Sequence, residues 1–114
     1  MASNMNRVIM QANLTKDPEC RQVGASSLCK LNLACNREFK EEKEVCFVEA
    51  YVWGGLTKVV EQYVVKGMSV LIEGRLKLDS WTSKEGEDKY KHVIVVEQLT
   101  MLPSGRRNDT NQNA

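Results

Sequence analysis

The sequence predicts an all-β domain with one helix, arranged as a five-stranded Greek-key barrel with an extended β-hairpin. Three observations predict it. Several short segments alternate apolar and polar residues, which is typical of strands that bury one face. One segment has apolar residues at the spacing of a helix. A charged stretch, "SKEGEDK", separates two long apolar segments and predicts the tip of a protruding hairpin.

The first two predicted strands lie on either side of a connecting stretch. Residues 6–15, "NRVIMQANLT", are rich in apolar residues and end at the turn signal "KDPE". Pro18 and Gly24 bracket the connection. Residues 27–36 then alternate well, so the predicted strand has one apolar face, which consists of Cys29, Leu31, Leu33 and Cys35.

The third predicted strand, residues 45–53, has two different faces. The even-numbered side chains are small and apolar and predict the core face: Cys46, Val48, Ala50 and Val52. The odd-numbered side chains are three aromatic rings and one carboxylate: Phe47, Glu49, Tyr51 and Trp53. This second face either packs against a helix or a subunit, or leaves its rings open to a flat ligand, and periodicity alone does not separate the two.

The helix and the long hairpin complete the order of elements. Residues 56–66 have apolar side chains at i, i+3, i+4, i+7 and i+8, and Gly67 is placed to be the C-terminal cap. A long strand over 68–81 follows, with a bend or bulge at Gly74, and the return strand covers 90–102. Three strands, a helix and a long hairpin fit a barrel of the oligonucleotide/oligosaccharide-binding type, the OB-fold.

Length and composition are those of one ordinary globular domain. The 114 residues have a formal net charge of +1, which neither favours nor excludes a nucleic-acid ligand. We expect residues 5–102 to fold as the domain, and residues 1–4 and 103–114 to be disordered. The sequence has no apolar run of about 18 residues and no targeting segment, so a cytoplasmic protein is expected.

No motif predicts an enzyme, a cofactor or a metal site. The chain has four cysteines without a C-x-x-C pair, a single histidine, and no phosphate-binding loop or nucleophile motif. We therefore expect no catalytic residues, no cofactor and no metal. Three of the cysteines fall at apolar strand positions, where reduced core side chains are expected: Cys29, Cys35 and Cys46.

Aromatic rings and cations occur together in the charged parts of the chain. Phe39 lies in the loop "REFKEEKE", and Trp81 lies among charged residues in "LDSWTSKEGEDKY". Arg75 and Lys77 have the same strand parity as Trp81. Such surfaces bind single-stranded nucleic acids, because bases stack on aromatic faces while cations contact the phosphates. Alternatively, the Trp81 indole folds back onto the sheet or fills a subunit interface.

Several segments resemble the bacterial-type single-stranded DNA-binding protein family, over residues 5–102. They include "LNLACNREFK", "WGGLTKVVEQYVVKGMSVLIEGRL" and "SWTSKEGEDKY". The resemblance implies an OB-fold, usually in a homotetramer, that coats single-stranded DNA during replication, recombination and repair, in the cytoplasm with the nucleoid. It implies base stacking on four rings: Phe39, Phe47, Trp53 and Trp81. It also implies phosphate contacts from Arg7, Arg37, Lys77 and Lys89, and from Arg75 unless that side chain serves structure.

Two features depart from the family pattern. Glu49 lies on the aromatic face where many relatives have a basic or neutral group, so we expect weaker binding between Phe47 and Trp53. The chain ends in "RRNDTNQNA", where bacterial members have an acidic tip that recruits replication and repair proteins. Recruitment of such partners through the tail is therefore not implied for this sequence.

Two other functions remain open at this stage. A related barrel devoted to protein assembly, such as a primosomal replication protein, would bind DNA only secondarily, and the full set of four rings favours DNA binding over that role. An RNA-binding barrel would stack bases in the same way. It would differ through contacts to the 2′-hydroxyl, which the sequence does not show.

Overall fold

A computed structural model describes residues 3–103 of the chain. These residues form six strands and one helix: β1 (Val8–Leu14), β2 (Glu19–Val23), β3 (Ser26–Phe39), β4 (Glu42–Trp53), α1 (Leu56–Tyr63), β5 (Ser69–Thr82) and β6 (Asp88–Leu102). The predicted disordered segments, 1–4 and 103–114, lie outside the described residues except for positions 3, 4 and 103.

Five of the strands close into a barrel. The sheet order is β1-β5-β6-β4-β3-β2, and an additional pairing between β1 and β3 closes it. β4 and β6 pair in parallel, whereas the other pairs are antiparallel. β2 pairs with the start of β3 and β1 with its middle, so both lie on the same edge of β3. The predicted five-stranded barrel is confirmed, and β2 is an addition to the predicted strands.

The core fills the barrel, and α1 packs against it. Buried side chains from the strands and from α1 form one cluster, which includes Leu31, Leu33, Val52, Val60, Ile72 and Ile94. Each such side chain stabilises the fold by about 1.5–3 kcal/mol relative to an exposed one. Ala50 and Val52 are fully buried, and Val48 packs against the cluster. The predicted core face of β4 is therefore confirmed over these three residues.

The helix is shorter than predicted. α1 ends at Tyr63, and Val64 has an extended backbone and is buried in the core. Gly67 is therefore not the helix cap. Its φ of +87° belongs to the following turn, where its N–H donates to the carbonyl of Leu14 over 2.9 Å. Among residues 3–103, no helix is long and apolar enough to cross a membrane.

Gly74 marks the point at which β5 leaves the barrel. The register of β5 and β6 shifts between Glu73 and Gly74, as the sequence predicts, and a Cβ at Gly74 would overlap the carbonyl oxygen of Val95. Arg75 and Leu76 still pair with the part of β6 that is bonded to β4, and beyond them the two strands form a free ribbon, here called the β5–β6 arm (residues 77–93). Leu76 and Leu78 have the predicted core parity but are exposed, because they lie where β5 leaves the barrel and beyond that point.

The cysteines differ from the expectation. β2 places Cys20 directly opposite Cys29, and the two form a disulfide, so the prediction of a reduced Cys29 is wrong. Cys46 is a free thiol but is exposed, because β3 and β4 also extend past the barrel as a ribbon, here called the β3–β4 arm (residues 35–46). Within the described part of the chain, no group of three or more His, Cys, Asp or Glu side chains is placed to bind a metal ion.

Candidate nucleic-acid interface

The odd-numbered side chains of β4 line the outside of the barrel. This outer face of β4 consists of Phe47, Glu49, Tyr51 and Trp53. The Phe47 ring is 74% exposed and Trp53 is 43% exposed, while Glu49 and Tyr51 are half-buried between them. Periodicity left two interpretations open, and the single chain agrees with the one in which the rings are open to a flat ligand. Two flat apolar surfaces are available here to a ligand.

The β5–β6 arm adds a third ring to the same side of the sheet. Trp81 is 45% exposed and lies opposite Lys89, and Asp79 lies opposite Lys91. The Lys91 ammonium is 5.2 Å from the centroid of the Trp81 ring and 2.7 Å from Oε1 of Glu49. Lys91 thus connects the arm to the outer face of β4. The Trp81 indole neither folds into the core nor lies apart from the other two rings.

Both acidic groups in the middle of this surface have a hydrogen-bond or ion-pair donor. The Glu49 carboxylate raises the pKa of the Lys91 ammonium, against the opposing effect of its partial burial. The Tyr51 hydroxyl donates to Oδ2 of Asp79 over 3.2 Å. Burial raises the pKa of Tyr51, and the nearby Asp79 raises it further. The carboxylate that the sequence places among the rings is therefore compensated locally by a lysine.

Three of the five residues that are predicted to contact phosphates form ion pairs within the chain. These are Arg7 with Glu73 (2.9 Å), Arg75 with Glu97 (3.3 Å) and Lys89 with Glu87 (3.2 Å). All three pairs are partly exposed, so each contributes only about 0–1 kcal/mol. A phosphate can therefore displace the glutamate at low cost. Arg37 and Lys77 are exposed and form no ion pair with the described residues.

Phe39 lies apart from the other three rings. It is 59% exposed near the tip of the β3–β4 arm, with the Lys40 ammonium 5.4 Å from its centroid. In the register of this arm Phe39 pairs with Glu42, whereas Phe47 pairs with Ala34. Counting alternate residues from these pairs places Phe39 and Arg37 on the opposite side of the ribbon from Phe47. The structure thus brings together Phe47, Trp53 and Trp81 but not Phe39.

Sequence reasoning missed Lys91 and Asn32, the two residues that flank Glu49. Lys91 alternates with Lys89 along β6, which would have placed both on one side of the arm. Its contact with Glu49 depends on the pairing of β4 with β6, two strands separated by the helix and β5, and no local pattern reports that pairing. Asn32 was likewise not singled out, although it lies directly opposite Glu49 in the register of β3 and β4.

Comparisons with known proteins identify the family of the chain. Residues 5–102 match the sequence profile of the Single-strand binding protein family. The chain is 43% identical over 105 residues to a single-stranded DNA-binding protein of Wolinella succinogenes, with 87% of this chain and 65% of the relative aligned. It is 41% identical over 115 residues to one of Helicobacter hepaticus, with 93% and 68% aligned. The chain thus spans about two thirds of these relatives' length.

A solved structure supports the fold independently. The Plasmodium falciparum SSB in complex with ssDNA superposes on this chain with a TM-score of 0.82 and 15% sequence identity, covering 90% of this chain and 98% of that one. At this identity the match establishes the fold alone. The predicted OB-fold is thereby confirmed.

Proposed function

Because this chain belongs to the single-strand binding protein family, we propose that it binds single-stranded DNA with little sequence preference and catalyses no reaction. The observation that supports this most directly is the exposure of Phe47, Trp53 and Trp81 on one side of the barrel. Bases stack on such rings with about 1–3 kcal/mol per base, and every base has a face that can stack. Affinity therefore comes from rings, and sequence preference is small.

The proposed DNA path crosses the outer face of β4 and continues onto the β5–β6 arm. Bases contact Phe47 and Trp53, then Trp81, and the phosphates between them contact Arg75, Lys77 and Lys89, which share the parity or the pairing of Trp81. Arg7 precedes β1, beside Gly74, and would meet phosphates near the base of the arm.

A second segment of DNA would use Phe39 and Arg37. Because these residues lie on the other side of the β3–β4 arm, one strand can reach all four rings only if it wraps around that arm. Wrapping buries more of the nucleotide chain than a straight groove does. It would also shield the strand from nucleases and from re-pairing.

The cellular role we propose is to coat and protect exposed DNA strands during replication, recombination and repair, in the cytoplasm. We further propose that the chain acts as a homotetramer with one barrel per subunit. The relatives from Wolinella succinogenes and Helicobacter hepaticus support the single-stranded DNA binding on which this role depends, since both are single-stranded DNA-binding proteins.

The experiment that tests the proposal is a titration of tryptophan fluorescence with oligo(dT) and, in parallel, with oligo(U). Light scattering on the same sample gives the mass of the free protein and of the complex. We expect quenching by oligo(dT), weaker quenching by oligo(U), and a mass of four subunits. An absence of quenching by either oligonucleotide would contradict nucleic-acid binding and favour an assembly role.

A further inference from the structure

A cavity of about 310 Å³ lies beside Phe47, between β3, β4 and β6. Its volume is at the lower end of the range of small-molecule pockets, roughly 300–1,000 Å³. Phe47 and the polar residues Asn32, Glu49 and Lys91 are among the residues that line it. A base that stacks on Phe47 would therefore lie next to these polar groups.

The polar groups of this cavity are fixed in place but not all satisfied. Asn32 and Glu49 lie directly opposite each other in β3 and β4, so their side chains project from the same face of the sheet. Nδ2 of Asn32 is buried and has no hydrogen-bond partner among the described residues. Oε1 of Glu49 is likewise buried and has no hydrogen-bond partner among the described residues, although the Lys91 ammonium lies 2.7 Å from it as an ion pair. Because Oε1 is buried, Oε2 is the oxygen left to accept from a ligand. A buried donor without a partner is costly, and a ligand acceptor would relieve that cost.

The cavity therefore presents donors next to a carboxylate. We infer that it recognises guanine, through the edge formed by O6, N1–H and the N2 amino group. O6 accepts from Nδ2 of Asn32 or from the Lys91 ammonium, while N1–H and N2–H both donate to Oε2 of Glu49, which has two acceptor positions. A carboxylate has about four acceptor positions on its two oxygens, so Lys91 and guanine can share it.

The other bases match this arrangement less well. Guanine alone has two adjacent donors next to an acceptor along its pairing edge. Adenine and cytosine each have one amino group there, and thymine has one N–H between two carbonyl groups. Each of these bases leaves part of the carboxylate without a donor. A well-formed bidentate contact discriminates between bases by about 1–3 kcal/mol. Guanine preference would thus add to a surface that otherwise binds any sequence.

This inference depends on the proposed function and refines it at one position. The test uses oligo(dT) of a fixed length in which isolated thymines are replaced by guanine, by hypoxanthine or by adenine, so that no guanine quadruplex forms. Hypoxanthine lacks only the N2 amino group of guanine. Affinities are measured by competition against a labelled oligo(dT), with the intact protein and with the Glu49→Gln variant. The Glu61→Gln variant, in which an exposed carboxylate of α1 is neutralised, is the control.

We expect the guanine oligonucleotide to bind about fivefold or more tightly than oligo(dT), and the hypoxanthine oligonucleotide to lose most of that gain. In Glu49→Gln the guanine preference, measured as the ratio of the guanine to the oligo(dT) affinity of the same variant, should disappear. Glu61→Gln should keep the preference.

Equal affinity for the guanine, hypoxanthine and thymine oligonucleotides would overturn the inference and leave the proposed function intact. A guanine preference that persists in Glu49→Gln would also overturn it, because the recognition would then lie elsewhere. A protein that binds none of the oligonucleotides would overturn the proposed function itself. The hypoxanthine comparison uses the unchanged protein, so it remains decisive even if the variant is unstable.

Discussion

Replacing Trp81 with alanine separates DNA binding from folding. The indole is 45% exposed and lies on the β5–β6 arm, outside the barrel core. The Lys91 ammonium makes a cation–π interaction with it, at 5.2 Å. At an exposed site such a contact contributes about 0.5–1 kcal/mol. Because about half of the indole surface is also covered, we expect Trp81→Ala to lower the free energy of unfolding by about 1–2 kcal/mol, which leaves the fold intact.

The effect on binding should be larger. Loss of one base–aromatic stack costs about 1–3 kcal/mol. Since 1.4 kcal/mol corresponds to a factor of ten, the Kd for oligo(dT) should rise about 5- to 150-fold. The assay is fluorescence anisotropy of a labelled oligo(dT), because the substitution removes a tryptophan signal. Thermal unfolding followed by circular dichroism measures the stability of the same sample.

Tyr90→Ala is the matched control. Tyr90 lies on the same arm and is 70% exposed, but it pairs with Ser80 and therefore projects from the opposite side to Trp81. We expect it to leave the Kd nearly unchanged. An unchanged Kd in Trp81→Ala, or an equal loss in Tyr90→Ala, would mean that bases do not stack on the Trp81 side of the arm.

Three further predictions concern salt, packing and titration. The logarithm of the oligo(dT) binding constant should fall linearly with log[salt], with a slope of about −0.7 for each phosphate contacted. Lys77→Ala should make this slope shallower. Lys58→Ala, at an exposed position of α1, is the control and should leave the slope unchanged. Gly74→Ala should lower the free energy of unfolding by about 1–3 kcal/mol or more, seen as a lower urea midpoint, because the added Cβ would overlap the backbone. Gly55→Ala is the control: Gly55 has open space around it and a φ of −62°, so the midpoint should be nearly unchanged. Burial raises the pKa of Tyr51 above the ordinary tyrosine value of about 10. In a pH titration followed by phenolate absorbance, the step that is present in the intact protein and absent in Tyr51→Phe should therefore lie above pH of about 10. A raised folded-state pKa stabilises the fold below the unfolded value, and that contribution is lost as pH rises through the folded value.

Much of the fold follows from local sequence patterns. Alternation over 45–53 assigns the core and outer faces of β4, because side chains in a strand must alternate. Gly74 was identifiable because a glycine inside a strand pattern often marks a bulge, and the structure adds that a Cβ there would overlap the backbone of Val95. The end of α1 was not predictable in the same way. Val64 continues the helical spacing of apolar residues, yet it enters the core with an extended backbone.

The interface was predictable for the rings but not for the groups between them. Phe47 and Trp53 stand out by parity, and Trp81 by its charged neighbours. The position of Phe39 relative to Phe47 depends on the register of the β3–β4 arm, and the Cys20–Cys29 disulfide depends on the pairing of β2 with β3. Such pairings join residues through tertiary contacts, so no short segment specifies them.

A crystal structure of the protein with oligo(dT) tests the central claim most directly, since that claim concerns where unpaired bases lie. We predict thymine rings parallel to the indoles of Trp53 and Trp81, with phosphates beside Lys77. The claim would be contradicted by a complex in which both indoles are covered by a second copy of the chain, or in which the DNA contacts only lysine and arginine side chains away from the rings.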